Sequence, residues 1–403
     1  MNKPELLCPA GDLERLQMAL HFGADAVYLG GLKMGLRAQA DNFDEAQMRD
    51  AVSYAHALGK KIYVTVNIFA HNRDFSELKE YLTFLQDIDV DAIIVSDPGV
   101  IDFAKKVAPK LTLHLSTQAN TTNKYSAKFW AEQGVKRLVL ARELTLEEIK
   151  EIRGFIPDDV EIEAFVHGAM CISYSGRCLL SDFMTGRHSN LGACAQSCRW
   201  EYAIMEKTRD GEYFPIGEDG RGTYILNSKD LNMSAYIPQL ADAGITSFKI
   251  EGRMKSSYYV AGVVNAYRRA LDLYYSTGNA YSLPREVERE LEMLSHRMYG
   301  TGFYLGEKGS QCLETSKPEQ KGVFTAIVVD KTEDGVVVEM RNKFCVGDEL
   351  EIMSPSDVNG KLLKVTDIIT ENGEKLQIAD KVQQKVILKT DLPVLPYDIL
   401  RRV

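Results

Sequence analysis

Residues 61–69, KIYVTVNIF, decide the fold prediction because their side chains alternate in character along the chain. Successive residues of a β-strand point to opposite faces. One face of this segment is β-branched and the other is polar or aromatic: Ile62, Val64 and Val66 lie opposite Tyr63, Thr65 and Asn67. We therefore expect a strand with one face packed under helices and the other facing a polar interior.

Six similar segments alternate with helical patterns across residues 1–170. They are ELLCPAG (5–11), DAVYLGG (25–31), DAIIVSDP (91–98), LTLHLSTQ (111–118), RLVLARE (137–143) and EIEAFVHG (161–168). Thr145 and Glu148 have the spacing of a capping box at a helix start. With SFKIEGRM (247–254) as an eighth strand, the pattern predicts an α/β fold, a TIM-like (β/α)8 barrel. A doubly wound open sheet is the alternative, since strand count alone does not establish closure.

The predicted strands carry more polar residues on one face than a barrel interior needs. The polar faces are His114, Ser116 and Gln118 in strand five, Glu163, Phe165 and His167 in strand seven, and Lys249, Glu251 and Arg253 in strand eight. Buried parallel strands are usually apolar on both faces. This polarity indicates a functional site at the barrel mouth, and a hydrogen-bonded polar core layer is the alternative.

The rest of the chain predicts an insertion and a second domain. The barrel would span residues 1–300, with an insertion after strand seven at about 171–246 that is far longer than a usual βα loop. Residues 301–316 would form a linker, and residues 317–403 a small all-β barrel domain with short strands between Gly, Asp and Asn turns. The lysines of this domain and the terminal Arg401 and Arg402 indicate either an RNA-positioning surface or simply a solvated one.

Net charge, the N-terminal sequence and hydrophobicity limit the classes of protein to which this chain can belong. The 403 residues carry a formal net charge of -9, which argues against a general polyanion binder but leaves room for a local basic surface. The N-terminus, MNKPELLCPAGDLERL, does not have the pattern of a signal peptide, and no uncharged apolar run has the length of a membrane span. We therefore expect a cytoplasmic protein with no membrane partner. The seven cysteines are then expected to stay reduced.

Four of the cysteines are clustered, with the spacing C-x6-C-x15-C-x3-C: Cys171, Cys178, Cys194 and Cys198. Structural zinc usually takes pairs of closely spaced cysteines, and only the second pair comes near that spacing. An iron–sulfur cluster needs four thiolates and tolerates irregular spacing. The spacing favours a cluster, with zinc and incidental buried cysteines as alternatives. The scattered Cys8, Cys312 and Cys345 are expected to be small apolar fillers.

The residues around the clustered cysteines resemble a known signature. It runs from Glu163 to Cys171 as EAFVHGAMC and continues with Gly176, Cys178 and Ser181. The segments LGACAQSCRW (191–200) and FKIEGRMKS (248–256) resemble further blocks of the same family. On these motifs the chain resembles the collagenase-like peptidase family U32 over nearly its whole length.

The resemblance implies a function on RNA. Better-understood members of that family act in prephenate-dependent tRNA uridine hydroxylation, in rRNA cytidine hydroxylation or in anaerobic ubiquinone synthesis. Several of them carry a 4Fe-4S cluster, which would place the metal ligands at Cys171, Cys178, Cys194 and Cys198. One barrel with one short β-domain most resembles the tRNA branch. The leading hypothesis is therefore 5-hydroxylation of the wobble uridine of certain tRNAs, giving 5-hydroxyuridine, with prephenate as a co-substrate or required small molecule.

Residues at the strand ends are the candidates for this chemistry. Prephenate is a dianion, and guanidinium or ammonium groups match its carboxylates; the candidates are Arg37, Arg142, Lys249 and Arg253. Asn67, Asp97 and Gln118 are expected to read the substrate by hydrogen bonds. His167 is the candidate acid or base, with a core histidine as the alternative. Glu251 would orient Lys249 and Arg253, or simply neutralise them.

Two other functions are carried as alternatives. The family label suggests a collagenase-like peptidase, although the chain has neither a G-x-S-x-G nor an H-E-x-x-H motif. The second alternative is a non-catalytic subunit that binds tRNA or prephenate for a modification complex. This is credible because some organisms with this family carry a shorter paralogue, which would be the expected partner.

Overall fold

The structure is a computed structural model. It describes residues 3–32, 34–35, 42–171, 174, 178–187, 194–200, 203–205, 213–215, 229–306, 318–333 and 335–403. The structural statements below concern these residues. None of their helices is long and apolar enough to cross a membrane.

Strands of the N-terminal part form a closed parallel barrel. The barrel strands are β1 (Glu5–Pro9), β2 (Ala26–Gly30), β3 (Lys61–Val66), β4 (Ala92–Val95), β5 (Leu113–Leu115), β6 (Arg137–Val139), β7 (Glu161–Ala169) and β11 (Ser247–Ile250). Outside the barrel, β8 (Ala203–Met205) pairs with β9 (Tyr213–Pro215), and β10 (Asp230–Asn232) pairs antiparallel with β7 and parallel with β12 (Tyr299–Gly300). Strands β1 to β7 pair in chain order, and β11 pairs in parallel with both β7 and β1. This double pairing closes the sheet, so the predicted TIM-like barrel is confirmed and the open sheet is excluded.

Helices alternate with the barrel strands along the chain, and one further helix lies in the insertion. They are α1 (Leu13–His21), α2 (Glu45–Ala57), α3 (Phe75–Asp87), α4 (Pro98–Val107), α5 (Lys124–Glu132), α6 (Leu146–Arg153), α7 (Leu180–Thr185), α8 (Ile237–Asp242), α9 (Ser257–Thr277) and α10 (Arg285–Met293). The capping box at Thr145 and Glu148 is present at the start of α6. Short 3-10 turns lie at Asn72–Asp74, Thr117–Ala119, Ser197–Arg199, Ser234–Tyr236 and Gly278–Ala280.

The two faces of β3 separate as its alternation predicts. Ile62, Val64 and Val66 belong to the large core between the barrel and its helices. Tyr63 belongs instead to a separate inner cluster with Leu7, Ala26, Tyr28, Ala92 and Ile94. The barrel interior is therefore a packed layer and not a pore, and the polar side chains lie above and below it.

Ion pairs close the end of the barrel opposite the mouth. Arg137, the first residue of β6, contacts the carboxylates of Glu5 (2.5 Å), Glu161 (2.6 Å) and Glu163 (3.2 Å). Burial opposes the charge of this guanidinium, but Glu163 and Glu5 outweigh that effect and raise the pKa of Arg137 above its usual range. The Tyr63 hydroxyl donates to Glu5 at 2.7 Å. This polar layer accounts for part of the interior polarity that the sequence shows.

The C-terminal part is an antiparallel all-β domain, as predicted. Its strands are β13 (Val323–Thr332), β14 (Gly335–Met340), β15 (Phe344–Cys345), β16 (Glu349–Met353), β17 (Leu362–Lys364), β18 (Ile368–Thr370), β19 (Lys375–Leu376), β20 (Ile378–Ala379), β21 (Lys385–Lys389) and β22 (Ile399–Arg402). Eight of them form one sheet in the order β17-β16-β22-β13-β14-β21-β18-β19. The domain limits at 301–316 stay a prediction, and residues 307–317 lie outside the described residues.

A buried ion cluster joins the two domains. Arg401 of β22 contacts both carboxylate oxygens of Glu290 in α10 (2.6 and 2.8 Å) and Glu351 of β16 (2.5 Å). Arg401 is 1% exposed. The expectation that this terminal arginine lies on a solvated or RNA-positioning surface is therefore wrong, because two carboxylates at the domain interface hold it inside the protein.

Candidate active site at the barrel mouth

Polar side chains collect at the end of the barrel where the parallel strands finish. Because all eight strands run in the same direction, the residues that follow them meet at one face, which is the functional face of such barrels. The residues placed there are Thr65, Asn67, Ser96, Asp97, Ser116, Gln118, Arg142 and Arg253. The term "mouth" is used below for this set.

Arg253 lies across the mouth beside β2 and β3. It is 3% exposed. Its Nη1 donates to the Thr65 hydroxyl at 3.0 Å and its Nη2 donates to the Asn42 side-chain oxygen at 3.4 Å. A Cβ atom at Gly30 would lie 2.6 Å from Nη1, so the guanidinium can take this position only because residue 30 is glycine. The structure thus places a buried, oriented cation at the mouth, where the sequence predicts one.

Arg142, which follows β6, is the second cation of the mouth. Its Nη1 donates to the carbonyl of Ala169 at 3.0 Å, and the guanidinium lies 4.9 Å from the centre of the Phe165 ring. Neighbouring Glu143 has its pKa raised, because burial disfavours the carboxylate more than Arg142 stabilises it. Arg142 and Arg253 follow β6 and β11, the two strands that flank β7.

Lys249 does not join these arginines, because it is paired deeper in the barrel. Its ammonium contacts Glu163 at 2.6 Å, and both side chains are buried. The ammonium also lies 4.5 Å from the centre of the Tyr28 ring and 5.4 Å from that of Phe165. Its charge is already balanced by a carboxylate in the core. This position favours a structural cation under the mouth over a direct ligand for a small anion.

The face taken by His167 differs from the one that simple alternation predicts. In the pairing of β7 with β11, Lys249 lies opposite Phe165 and the next residue, Ile250, lies opposite His167. Val166 is therefore an extra residue in β7, and such a bulge changes the face on which the following side chains lie. Glu163 and Phe165 contact Lys249 inside the barrel, whereas His167 lies on the outer side.

His167 is packed against tyrosines outside the barrel. Its ring lies 6.1 Å from Tyr259 and 5.4 Å from Tyr267, both on α9, and 5.4 Å from Tyr299. Its Nδ1 atom is buried and has no hydrogen-bond partner among the described residues. Burial lowers the pKa of His167 to about 3, so the imidazole is neutral at physiological pH. These surroundings favour a core histidine, and a role in proton transfer stays a prediction.

The candidates for substrate reading, Asn67, Asp97 and Gln118, occupy different positions around the mouth. The Asn67 amide donates to the Ser116 hydroxyl at 3.4 Å, and the backbone N–H of Gln118 donates to the same hydroxyl. These three residues therefore lie together. Asp97 accepts the backbone N–H of Val100 at 3.0 Å and caps α4. Its carboxylate thus has an observed structural role, and substrate reading by any of these residues stays a prediction.

The structure does not test the predicted roles of two further candidates, Arg37 and Glu251. Arg37 lies outside the described residues. Glu251 contributes its backbone: its N–H donates to His167 O at 2.8 Å, and its carbonyl accepts from the Tyr259 hydroxyl. A Cβ atom at Gly168, where φ is +110°, would lie 2.5 Å from this carbonyl. The proposed orienting role of the Glu251 side chain stays a prediction.

The clustered cysteines follow β7 on the mouth side of the barrel. All four thiols are free of disulfides, and none of them is buried. The backbone N–H of Gln196 donates to Cys194 Sγ at 3.4 Å, a kind of bond that tunes cluster thiolates. This donor chemistry fits an iron–sulfur cluster. Among the described residues, however, no three His, Cys, Asp or Glu side chains are close enough together to hold a metal ion. The ligand set therefore stays a prediction.

The comparisons with known proteins decide the family. The model of peptidase family U32 matches residues 11–314, and the model of the peptidase family U32 C-terminal domain matches residues 320–401. The chain belongs to peptidase family U32. The predicted family is thereby confirmed, and its two matched regions correspond to the barrel and to the all-β domain.

Relatives within family U32 carry names that refer to RNA hydroxylation. The chain is 41% identical to tRNA hydroxylation protein P1 of Bacillus subtilis, over 100% of this chain and 95% of that protein. It is 37% identical to tRNA hydroxylation protein P2 of the same organism, over 76% of this chain and 99% of that shorter protein. It is 33% identical to the 23S rRNA 5-hydroxycytidine C2501 synthase of Escherichia coli, over 89% of this chain and 54% of that protein.

Sequence reasoning missed several partners of the candidate residues. Thr65 and Asn42 hold Arg253, and Glu163 holds Lys249. The alternation of β3 places Thr65 on the interior face, and that signal could have suggested its role. The Asn42 contact joins residues that are distant in sequence, and no pattern in the chain predicts it.

Proposed function

We propose that this chain is a tRNA-modifying enzyme that hydroxylates the wobble uridine of certain tRNAs at carbon five. The observation that carries this proposal is the 41% identity, over the full length of the chain, to a protein named for tRNA hydroxylation. The barrel mouth supports it, because oriented cations and amides at the ends of β3, β5, β6 and β11 suit a polar, anionic substrate. The product would be 5-hydroxyuridine.

Prephenate is the small molecule that we propose for the mouth. It carries two carboxylates, and Arg142 and Arg253 supply two guanidinium groups at the mouth. A guanidinium binds a carboxylate through two parallel hydrogen bonds. Thr65 and Asn42 hold Arg253 in one orientation, so little conformational freedom is lost when an anion binds. Lys249, neutralised by Glu163, would support this site from below.

Cys171, Cys178, Cys194 and Cys198 are the residues that we propose as ligands of a 4Fe-4S cluster. When bound, such a group supplies one-electron transfer chemistry. The insertion would hold it on the mouth side of the barrel, since Cys171 follows the last residues of β7. Asn67 and Gln118, which share Ser116, would orient the target base by hydrogen bonds to its polar edge.

A non-catalytic role in a complex is the second candidate. The relative named P2 is shorter than this chain and related to it, which suits a pair of paralogous proteins that act together. In that case the chain would bind tRNA or prephenate, and the shorter paralogue would be its partner. Hydroxyuridine formed only when both proteins are present would favour this function over an enzyme that acts alone.

Complementation tests the proposal. Cells that lack this gene and any paralogue would receive the wild-type chain, Cys194→Ala, Arg253→Gln or Lys128→Gln, which changes an exposed cation on α5. We expect mass spectrometry of tRNA nucleosides to show hydroxyuridine restored by the wild type and by Lys128→Gln, and lost in the other two. Equal restoration by all four chains would contradict the proposed site.

A further inference from the structure

The insertion after β7 exposes many large apolar side chains. Five of them lie between residues 174 and 200: Tyr174, Leu179, Phe183, Met184 and Trp200. Phe183 is 86% exposed and Trp200 is 48% exposed. Large apolar side chains exposed close together in the sequence of a folded protein often mark a place where another molecule binds.

A hydrogen bond joins the segments that carry two of these residues, Phe183 and Trp200. Phe183 lies in α7, and Trp200 directly follows the 3-10 turn Ser197–Arg199. The backbone N–H of Ala195, just before that turn, donates to the Ser181 hydroxyl of α7 at 2.9 Å. The two rings therefore lie on neighbouring segments of the insertion.

The charge of this segment differs from that of the whole protein. Residues 171–200 contain three arginines, at positions 177, 187 and 199, and one carboxylate, Asp182. The complete chain has a formal net charge of -9. Apart from its cysteines, the segment has more arginines than carboxylates, and guanidinium groups bind the phosphate oxygens of a nucleic acid. A segment that combines exposed aromatic rings with arginines in its sequence is typical of proteins that bind unpaired nucleic-acid bases and their phosphates.

The position of the segment connects it with the mouth. It follows the end of β7, where Arg142 binds the carbonyl of Ala169. An RNA loop bound to the insertion would therefore reach the mouth on the side where Arg142 lies. A nucleic acid is the partner that suits both the arginines of this segment and its position next to the mouth.

We propose that Phe183 and Trp200 are stacking platforms for unpaired bases of an RNA loop, which they hold with its target nucleotide at the mouth. Proteins read single-stranded RNA largely by stacking bases on aromatic side chains. This inference rests on the proposed function, and it assigns the RNA-binding surface that the proposed function leaves open.

Binding of defined RNAs tests the inference without any need for turnover. The probe is a synthetic RNA hairpin with the loop of a tRNA anticodon arm, and the control RNA is a fully paired duplex of the same length. We expect Phe183→Ala and Trp200→Ala each to weaken hairpin binding about 5- to 150-fold, the range for one stacked base. Phe129→Ala is the matched control, because Phe129 is 52% exposed on α5 and lies outside the insertion.

Conservative variants distinguish a loss of base stacking from a loss of folding. Phe183→Tyr and Trp200→Phe keep an aromatic ring, so we expect hairpin affinity near that of the wild type at equal iron content and equal circular dichroism. Loss of affinity in these variants as well would contradict stacking. Wild-type hairpin affinity in both alanine variants would overturn the inference, and full restoration of hydroxyuridine by them would leave the proposed function standing.

Two further outcomes are informative. A change in self-association of the alanine variants with unchanged RNA affinity would assign the surface to a protein and overturn the inference. If the wild type binds neither RNA and loss of the gene leaves tRNA nucleosides unchanged, the proposed function fails and the inference fails with it.

Discussion

Removal of the Glu163 carboxylate should destabilise the barrel strongly. Glu163 is fully buried and contacts Lys249 at 2.6 Å and Arg137 at 3.2 Å. Arg137 keeps its ion pairs with Glu5 and Glu161 when Glu163 is changed to glutamine. Lys249 instead loses the carboxylate that balances its charge. At 2.6 Å and an effective dielectric constant of about 20, the attraction is about 6 kcal/mol. We expect Glu163→Gln to lower the free energy of unfolding by about 3–5 kcal/mol, the usual result of leaving a buried charge without its partner.

A double-mutant cycle with Lys249→Met separates the lost pair from other effects. Lys249→Met alone should cost about 1–3 kcal/mol, because Glu163 still contacts Arg137. In the double variant the unbalanced ammonium is gone, so we expect at least about 2 kcal/mol of the Glu163→Gln loss to be recovered.

Urea unfolding followed by tryptophan fluorescence measures these differences. The chain has two tryptophans, and Trp130 lies in α5 of the barrel. In a Trp200→Phe background the signal therefore reports on the barrel alone. A loss below about 1 kcal/mol for Glu163→Gln, or fully additive single costs, would refute the view that Lys249 depends on Glu163.

Four further changes probe other parts of the molecule. Acidification should destabilise the protein through His167: its folded pKa of about 3 lies below the unfolded value, so this stability is complete above about pH 6.5 and is lost as the pH falls towards 3. The free energy of unfolding should fall by about 2 kcal/mol at pH 5 through this residue. His167→Phe should remove this pH-dependent loss from urea unfolding curves. Arg401→Met should cost about 3–5 kcal/mol by leaving Glu290 and Glu351 unpaired at the domain interface, and limited proteolysis should then release the β-domain; an unchanged cleavage pattern would contradict this. Thr145→Ala should cost about 1 kcal/mol through the lost cap of α6, as measured by urea unfolding, whereas Thr145→Ser should not. Arg253→Gln should weaken prephenate binding in calorimetry by at least about tenfold, and equal affinity would exclude Arg253 from the site.

The architecture could be predicted because its signals are local. Alternation in residues 61–69 identifies the inner and outer faces of β3, and Thr145 with Glu148 marks the start of α6. These features depend on neighbouring residues and on the geometry of single elements. The change from alternating helices and strands to short strands likewise indicates a second domain.

The candidate site was harder to predict because it depends on pairing between distant strands. The bulge at Val166 arises from the register of β7 with β11, and that register moves His167 to the outer side of the barrel. The same register places Lys249 next to Glu163. Arg401 is buried because two distant elements bring carboxylates to it, and position in sequence gave no sign of this.

The most direct test of the central claim is mass spectrometry of tRNA nucleosides in cells without this gene, without prephenate synthesis, or without both. Any paralogue of the chain is deleted in each strain. We predict that 5-hydroxyuridine and nucleosides made from it disappear in all three strains. Added prephenate should restore them only where the wild-type gene is present. Unchanged hydroxyuridine in the strain without the gene would contradict the proposed function, and the rRNA would then be the next RNA to examine.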